Sequence, residues 1–189
     1  MVEVMRADEA GSNPFYFQNA SKEKIQQVKI TGLDPDTKYR YRITASADVN
    51  GHKMESQSPA YSFRTAPAAE RPLHFAVLGD NRTQVEVFTE LCRTLDRENR
   101  PAPELILHTG DLLADGSVYQ QWQEQFFTPS RSILSRLPFM PVLGNHERDG
   151  TFYYDFFNLP GNESYYSFDV AGCRFLMINS CKPFTPGTE

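Results

Sequence analysis

The fold of this 189-residue chain is decided by one stretch, Leu105-Ile-Leu-His-Thr-Gly-Asp-Leu-Leu-Ala-Asp-Gly116. The apolar run 105–107 predicts a buried strand, and the Gly-Asp that follows puts a carboxylate, Asp111, at the carboxyl end of that strand. In an open α/β sheet, this end is the edge where ligands bind. The stretch therefore predicts a functional site as well as a strand.

Two other stretches repeat this arrangement of an apolar run followed by glycine and a polar side chain. They are Phe75-Ala-Val-Leu-Gly-Asp-Asn-Arg82 and Phe139-Met-Pro-Val-Leu-Gly-Asn-His-Glu147. Three strands that end at one rim would bring together Asp80, Asp111, Asn145 and His146. Carboxylate and amide oxygens with an imidazole are the donors of a metal site for hydrolysis. Taken singly, either aspartate could instead cap the helix that follows its strand.

The segments between and after these strands predict an α/β layer. Residues 85–99 place apolar side chains on one helical face, and a helix between two strands makes the pair parallel. The apolar members of that face are Val87, Phe88, Leu91, Cys92 and Leu95. Helical spacing recurs over 119–126 and 133–137, and 166–170 with 174–178 reads as a β-hairpin.

Residues 1–66 have a different pattern, which predicts an all-β domain. Apolar and polar residues alternate over 28–30, 39–43 and 61–65, and Asn50-Gly51 is a hairpin turn signal. The Pro- and Ala-rich stretch 67–72 reads as a linker. Residues 73–189 would then form the α/β domain.

The stretch Leu33-x-Pro35-x-Thr37-x-Tyr39 resembles the tyrosine corner of fibronectin type III-like sandwiches. In that motif the tyrosine hydroxyl bonds to nearby backbone, a role that falls here to Tyr39. Such a sandwich needs about seven strands and ~100 residues. We therefore predict an incomplete sandwich, in which the chain begins partway into the module.

The three strand-end motifs, in this order, resemble those of the calcineurin-like metallophosphoesterases. With a fibronectin-like module in front, the resemblance is closest to the purple acid phosphatase-like branch. It implies a layered α/β fold, of which this chain holds the N-terminal half. It also implies a phosphomonoesterase in which hydroxide held between two metal ions (Fe, Mn or Zn) attacks phosphorus.

The resemblance further assigns metal ligands. Asp80 would bind the first ion, Asp111 would bridge both ions, and Asn145 would bind the second. Two positions depart from the family pattern: Arg82 stands where the family commonly has a histidine ligand, and Ala114 where purple acid phosphatases have a tyrosine. The charge-transfer colour that the tyrosine gives is therefore not expected.

The same resemblance assigns the residues that act on substrate. His146 would be catalytic, hydrogen-bonding the phosphoryl oxygens or protonating the leaving group. Arg82 would clamp a phosphate oxygen together with His146. Glu147 would lie behind the site and orient His146. His108 is either a structural strand histidine or a group that lies behind the metal ligands.

The chain lacks part of what this family uses. No histidine follows His146, whereas the family supplies further histidine ligands there, including a Gly-His-x-His. We therefore expect the chain to be a fragment with both ends inside domains, and we do not expect full activity from it alone. The alternative is a non-catalytic interaction protein with a degenerate phosphoesterase domain.

Charge and hydropathy limit the partners. A net charge of −5 argues against nucleic-acid binding, and no apolar run approaches the ~18 residues of a membrane span. The expected partner is a small phosphate ester. An exported location, periplasmic or extracellular, follows from the resemblance alone, and the sequence leaves the oligomeric state open.

Overall fold

The structure, a computed structural model, describes residues 1–9, 13–19, 21, 23–97 and 101–182. The chain divides after Ala68 into two compact units. The first contains an antiparallel sheet, and the second contains a parallel sheet with helices. The expected order, an all-β domain followed by an α/β domain, is confirmed. The finer boundaries drawn at 66 and 72 stay a prediction.

The first unit is a five-stranded antiparallel sheet built around one long strand, β3. The first half of β3 pairs with β1 on one side and β5 on the other, and its second half forms a ribbon with β4. Strand β2 pairs with β1. The strands are β1 (Val2–Arg6), β2 (Phe15–Phe17), β3 (Lys38–Val49), β4 (His52–Gln57) and β5 (Tyr61–Arg64).

The tyrosine corner is present in this unit. The Tyr39 side chain is buried, and its hydroxyl accepts a hydrogen bond of 3.0 Å from the backbone N–H of Asp34. Tyr39 packs with Val2 and Val4 in a small core to which Leu33 contributes. The role predicted for Tyr39 is therefore confirmed.

Two features of the first unit differ from the sequence prediction. Residues 28–30 form no strand, although Val28 and Ile30 pack against the core. The alternation marked a buried face correctly, but periodicity carries no information on whether a neighbouring strand is present. Strands β1 and β2, which do form the ladder, were not predicted. The Asn50-Gly51 turn is confirmed, with φ of 55° and 79°.

The second unit contains a parallel sheet in the order β6-β7-β8. Its strands are β6 (Phe75–Leu78), β7 (Leu105–His108) and β8 (Phe139–Pro141). In the register, Leu78 pairs with His108, and His108 pairs with Pro141. The three strands therefore end level with one another, as the sequence predicted.

Helices and a hairpin complete this unit. They are α1 (Val85–Arg97), α2 (Tyr119–Gln121), a π-helical segment (Trp122–Phe127), α3 (Thr128–Leu134), α4 (Thr151–Phe156), and the hairpin of β9 (Tyr166–Val170) and β10 (Cys173–Met177). The core is aromatic and centres on Trp122, Phe126 and Phe157. No helix in the described ranges is both long and apolar enough to cross a membrane.

Two burial predictions for this unit were partly wrong. In α1, Phe88 and Cys92 are buried, but Val87 is 65% exposed, because only a narrow stripe of the helix meets the core. In β6, Phe75 and Val77 are 46% and 56% exposed. Only one face of β6 packs on the core, through Ala76 and Leu78, and Phe75 and Val77 lie on the other face.

Candidate metal-binding active site

Three loops meet where the parallel strands end. The N–H of Asp80 donates to the carbonyl of Gly110 at 3.1 Å, and the N–H of Arg82 donates to that of Asp111 at 3.3 Å. The N–H of Gly116 in turn donates to the carbonyl of His146 at 2.8 Å. The level strand ends thus bring the three sequence motifs into direct backbone contact.

Asp80 and Asp111 both adopt the left-handed backbone conformation, with φ of 56° and 58°. Each follows a glycine at a strand end, so the chain reverses sharply there. Aspartate tolerates this conformation better than most residues, but it still costs energy relative to an extended strand. Backbone strain of this kind concentrates at functional sites.

The motif glycines are needed because the loops pack backbone against backbone. A Cβ on Gly110 would lie 2.5 Å from the Gly144 nitrogen, and a Cβ on Gly144 would lie 2.1 Å from Asp111 Oδ1. A Cβ on Gly79 would lie 1.9 Å from Thr109 Oγ1. A larger residue at Gly110 or Gly144 would displace the backbone of the opposite loop, and one at Gly79 would displace the Thr109 side chain.

Four of the predicted site residues form one cluster with Arg82 at its centre. Arg82 Nη2 lies 2.7 Å from Asp80 Oδ1, and Arg82 Nη1 lies 3.7 Å from Asp111 Oδ2. The same Nη1 lies 2.5 Å from His146 Nε2. The backbone N–H of His146 donates to Asp111 Oδ1 at 3.1 Å. The structure therefore brings Asp80, Arg82, Asp111 and His146 together.

The ring of His146 is oriented by a backbone carbonyl. Its Nδ1 lies 2.6 Å from the Ala114 oxygen. Because a carbonyl only accepts, we assign the proton to Nδ1, which leaves Nε2 facing Arg82. The loop that carries this carbonyl is held in turn by Gln125, whose Oε1 accepts from the Ala114 N–H at 2.8 Å.

Glu147, predicted to lie behind the site, contacts the backbone of two of the loops. Its side chain is fully buried, and its carboxylate accepts hydrogen bonds from the N–H groups of Leu112 and Gly144, both at 2.6 Å, and of Asp111 at 3.0 Å. Burial raises its pKa, and these three bonds oppose the shift. Glu147 fixes two of the loops, whereas the Ala114 carbonyl orients the His146 ring.

Sequence reasoning missed a second link between the loops. The buried His108 donates from Nε2 to Asn81 Oδ1 at 2.7 Å and accepts at Nδ1 from the Gly110 N–H. Asn81 Nδ2 donates to the Leu112 carbonyl at 2.8 Å. Burial lowers the pKa of His108 to about 4, so it is neutral. A histidine that ends an apolar run needs polar partners, and this was the available signal.

The third predicted metal ligand, Asn145, is exposed on the loop between Gly144 and His146. Its amide oxygen and the carboxylates of Asp80 and Asp111 suit a hard or borderline divalent cation. Over the ranges that the structure describes, no group of three or more His, Cys, Asp or Glu side chains is placed to hold a metal ion. The donors present fit a metal in their chemistry but form an incomplete set.

Comparison with known protein families identifies the family of this chain. The model of the calcineurin-like phosphoesterases matches residues 73–186. The chain belongs to the calcineurin-like phosphoesterase family. The model of the purple acid phosphatase N-terminal domain matches residues 5–65 of this phosphoesterase.

Individual proteins that resemble the chain are named as purple acid phosphatases. Purple acid phosphatase 21 of Arabidopsis thaliana is 33% identical over 94% of the chain, and probable purple acid phosphatase 20 of the same plant is 30% identical over 88%. A purple acid phosphatase structure from yellow lupin (Lupinus luteus) seeds superposes on the whole chain with a TM-score of 0.68 at 16% identity, which shows the shared fold. The chain spans about 40% of the length of these proteins.

Proposed function

We propose that this phosphoesterase hydrolyses phosphate monoesters in a metal-dependent reaction, as an acid phosphatase-like enzyme. The observation that carries the proposal is the convergence of Asp80, Asp111 and His146 at the end of the parallel sheet, around a guanidinium. Its relatives are named purple acid phosphatases. Small phosphate esters are therefore the proposed substrates.

Three side chains of this chain would hold the metal ions. Asp80 and Asp111 offer carboxylate oxygens and Asn145 an amide oxygen, a set that accepts Fe, Mn or Zn. Two such ions, when bound, supply charge for the phosphoryl oxygens and lower the pKa of a water nucleophile. Glu147 contributes by fixing the Asp111 and Gly144 backbone.

His146 and Arg82 would act on the substrate itself. Because Nδ1 of His146 is engaged with the Ala114 carbonyl, Nε2 is the atom that faces the substrate side, and it would take up a proton before giving one to the leaving group. Arg82 carries a permanent charge and a planar array of donors that matches phosphate oxygens. The 2.5 Å contact between Arg82 Nη1 and His146 Nε2 supports a role for both side chains at the same phosphoryl group.

The proposal is tested by the hydrolysis of p-nitrophenyl phosphate with added Mn²⁺, in the native protein and in Asp111→Asn. We expect the variant to lose at least about a hundredfold in rate, since it removes the carboxylate shared by the whole cluster. Asp169→Asn is the matched control, because Asp169 pairs with Arg174 in the β9–β10 hairpin, outside the cluster. A rate in Asp111→Asn equal to that of the control would contradict the proposal.

One observation favours a second candidate, a non-catalytic phosphoesterase-like binding protein. Arg82 already neutralises part of the charge that a metal ion would neutralise. In that case, the native protein would show no turnover at any Mn²⁺ concentration, and Asp111→Asn would behave in the same way.

Two further predictions concern the partners of the protein and its location. We propose that the protein does not bind nucleic acid, in line with its net charge of −5. The exported location expected from the family resemblance stays a prediction, which fractionation of expressing cells would test.

A further inference from the structure

Arg82 lies between the two carboxylates that a metal ion would use. Its guanidinium contacts one oxygen each of Asp80 and Asp111, at 2.7 Å and 3.7 Å. The Arg82 side chain is 34% exposed and that of Asp111 only 16%. The Arg82–Asp111 pair is therefore screened less by water than an ion pair on the open surface, whereas the Arg82–Asp80 pair, with Asp80 67% exposed, lies closer to solvent.

The position of Arg82 is built into the fold. Its own N–H donates to the Asp111 carbonyl, and the preceding residue, Asn81, is fixed through His108 and Leu112. Its Nη1 also meets the unprotonated Nε2 of His146. The anchored backbone and three acceptors thus hold the guanidinium over the site.

A guanidinium keeps its charge at any physiological pH, so it cannot leave these oxygens by losing a proton. A metal ion that binds Asp80 and Asp111 must bind carboxylates that are each already paired, through one oxygen, with a cation. Two like charges at this separation repel each other strongly where water is partly excluded. Metal binding and the Arg82 ion pairs therefore compete.

We propose that Arg82 is an internal counter-cation of the metal site. It pairs with Asp80 and Asp111 in the metal-free protein, weakens the binding of a metal ion to them, and leaves these oxygens when the ion binds. The released guanidinium is then free for a phosphate oxygen. This inference rests on the proposed function, because it requires that the carboxylates bind a metal ion.

The test is the dissociation constant of Mn²⁺, measured by titration calorimetry on the native chain and on Arg82→Gln. We expect the variant to bind Mn²⁺ about tenfold more tightly, since it lacks the competing charge. Arg82→Lys keeps the charge and should stay near the native value. Arg148→Gln is the matched control: it removes a charge that pairs with Asp115 at 3.1 Å, whereas the ion pairs that the described residues make with Asp80 and Asp111 come from Arg82.

Thermal unfolding gives a second measurement that does not depend on activity. Without metal, Arg82→Gln should melt below the native chain, because Asp80 and Asp111 then repel each other. With Mn²⁺, its melting temperature should rise by more than that of the native chain. Circular dichroism of each variant confirms that it is folded.

The outcomes separate this inference from the proposed function. If the native chain binds Mn²⁺ and Arg82→Gln binds it no more tightly, the counter-cation role is wrong and the metal-dependent function stands. If neither the native chain nor any variant binds Mn²⁺, the counter-cation role and the metal-dependent function are both wrong.

Discussion

At the scale of single residues, the site depends on buried polar groups whose hydrogen bonds are all directed at its loops. Glu147 binds three backbone N–H groups, and His108 with Asn81 ties the first loop to the second. A buried polar group that loses its partner costs far more than an average hydrogen bond contributes. These residues should therefore be sensitive to small changes.

Replacing Glu147 should destabilise the second unit. Glu147→Ala leaves the N–H groups of Asp111, Leu112 and Gly144 without their acceptor, and we expect a loss of about 3 kcal/mol in unfolding free energy. Glu147→Gln keeps one accepting oxygen and should lose less. Urea denaturation measures both, and equal stability of the alanine variant and the native protein would contradict this role.

His108 should make stability depend on pH. Burial lowers its pKa from 6.5 to about 4 in the folded state, so the unfolded chain binds more protons between these values. Its contribution is complete above about pH 6.5 and is lost as the pH falls toward about 4, by about 3 kcal/mol. Urea denaturation across this range should show a smaller pH slope in His108→Gln, and an unchanged slope would refute the assignment.

At the scale of elements, level strand ends and close loop packing position the carboxylates. The register that pairs Leu78 with His108 and His108 with Pro141 sets the three loops at one height. The glycines then let the loops touch. Changes to a glycine should therefore act on the site through Asp111.

Gly144→Ala should disrupt the site more than the fold around it. The new Cβ would lie 2.1 Å from Asp111 Oδ1 and 2.5 Å from the Asp111 nitrogen, so Asp111 must move. We expect Mn²⁺ binding to weaken by about tenfold or more. Gly32→Ala is the control, since its Cβ would meet open space at φ +75° and cost only about 1 kcal/mol of strain. Equal Mn²⁺ affinity in the two variants would show that the close approach is unimportant.

The tyrosine corner should stabilise the first unit alone. Tyr39→Phe removes the acceptor of the Asp34 N–H, and we expect a loss of about 1 kcal/mol in unfolding free energy. The Mn²⁺ affinity should stay unchanged. A Tyr39→Phe variant as stable as the native protein in urea would contradict this role.

At the scale of the whole molecule, the sequence predicted the parts that local patterns determine. Apolar runs followed by Gly-Asp or Gly-Asn located β6, β7 and β8 and the residues at their ends, because strand ends and turns are local features. The pairing of β1 with β3, the open face of β6 and the His108–Asn81 bond depend on residues far apart in the chain. Local periodicity does not contain that information.

The role of Arg82 shows the same limit within the site. Its type and place in the Gly-Asp-Asn-Arg motif predicted a phosphate contact, but the sequence could not show that its guanidinium meets Asp80, Asp111 and His146 at once. Three loops from three strands must be assembled before that contact exists.

We propose above all that the carboxylates at the ends of β6 and β7 bind metal ions for phosphate-ester hydrolysis. The most direct measurement is the metal content of the purified protein by plasma mass spectrometry, beside that of Asp111→Asn. We expect bound Mn, Fe or Zn in the native protein and loss of that metal in the variant. A native protein that stays metal-free after exposure to these ions, or a variant that retains as much metal, would contradict it.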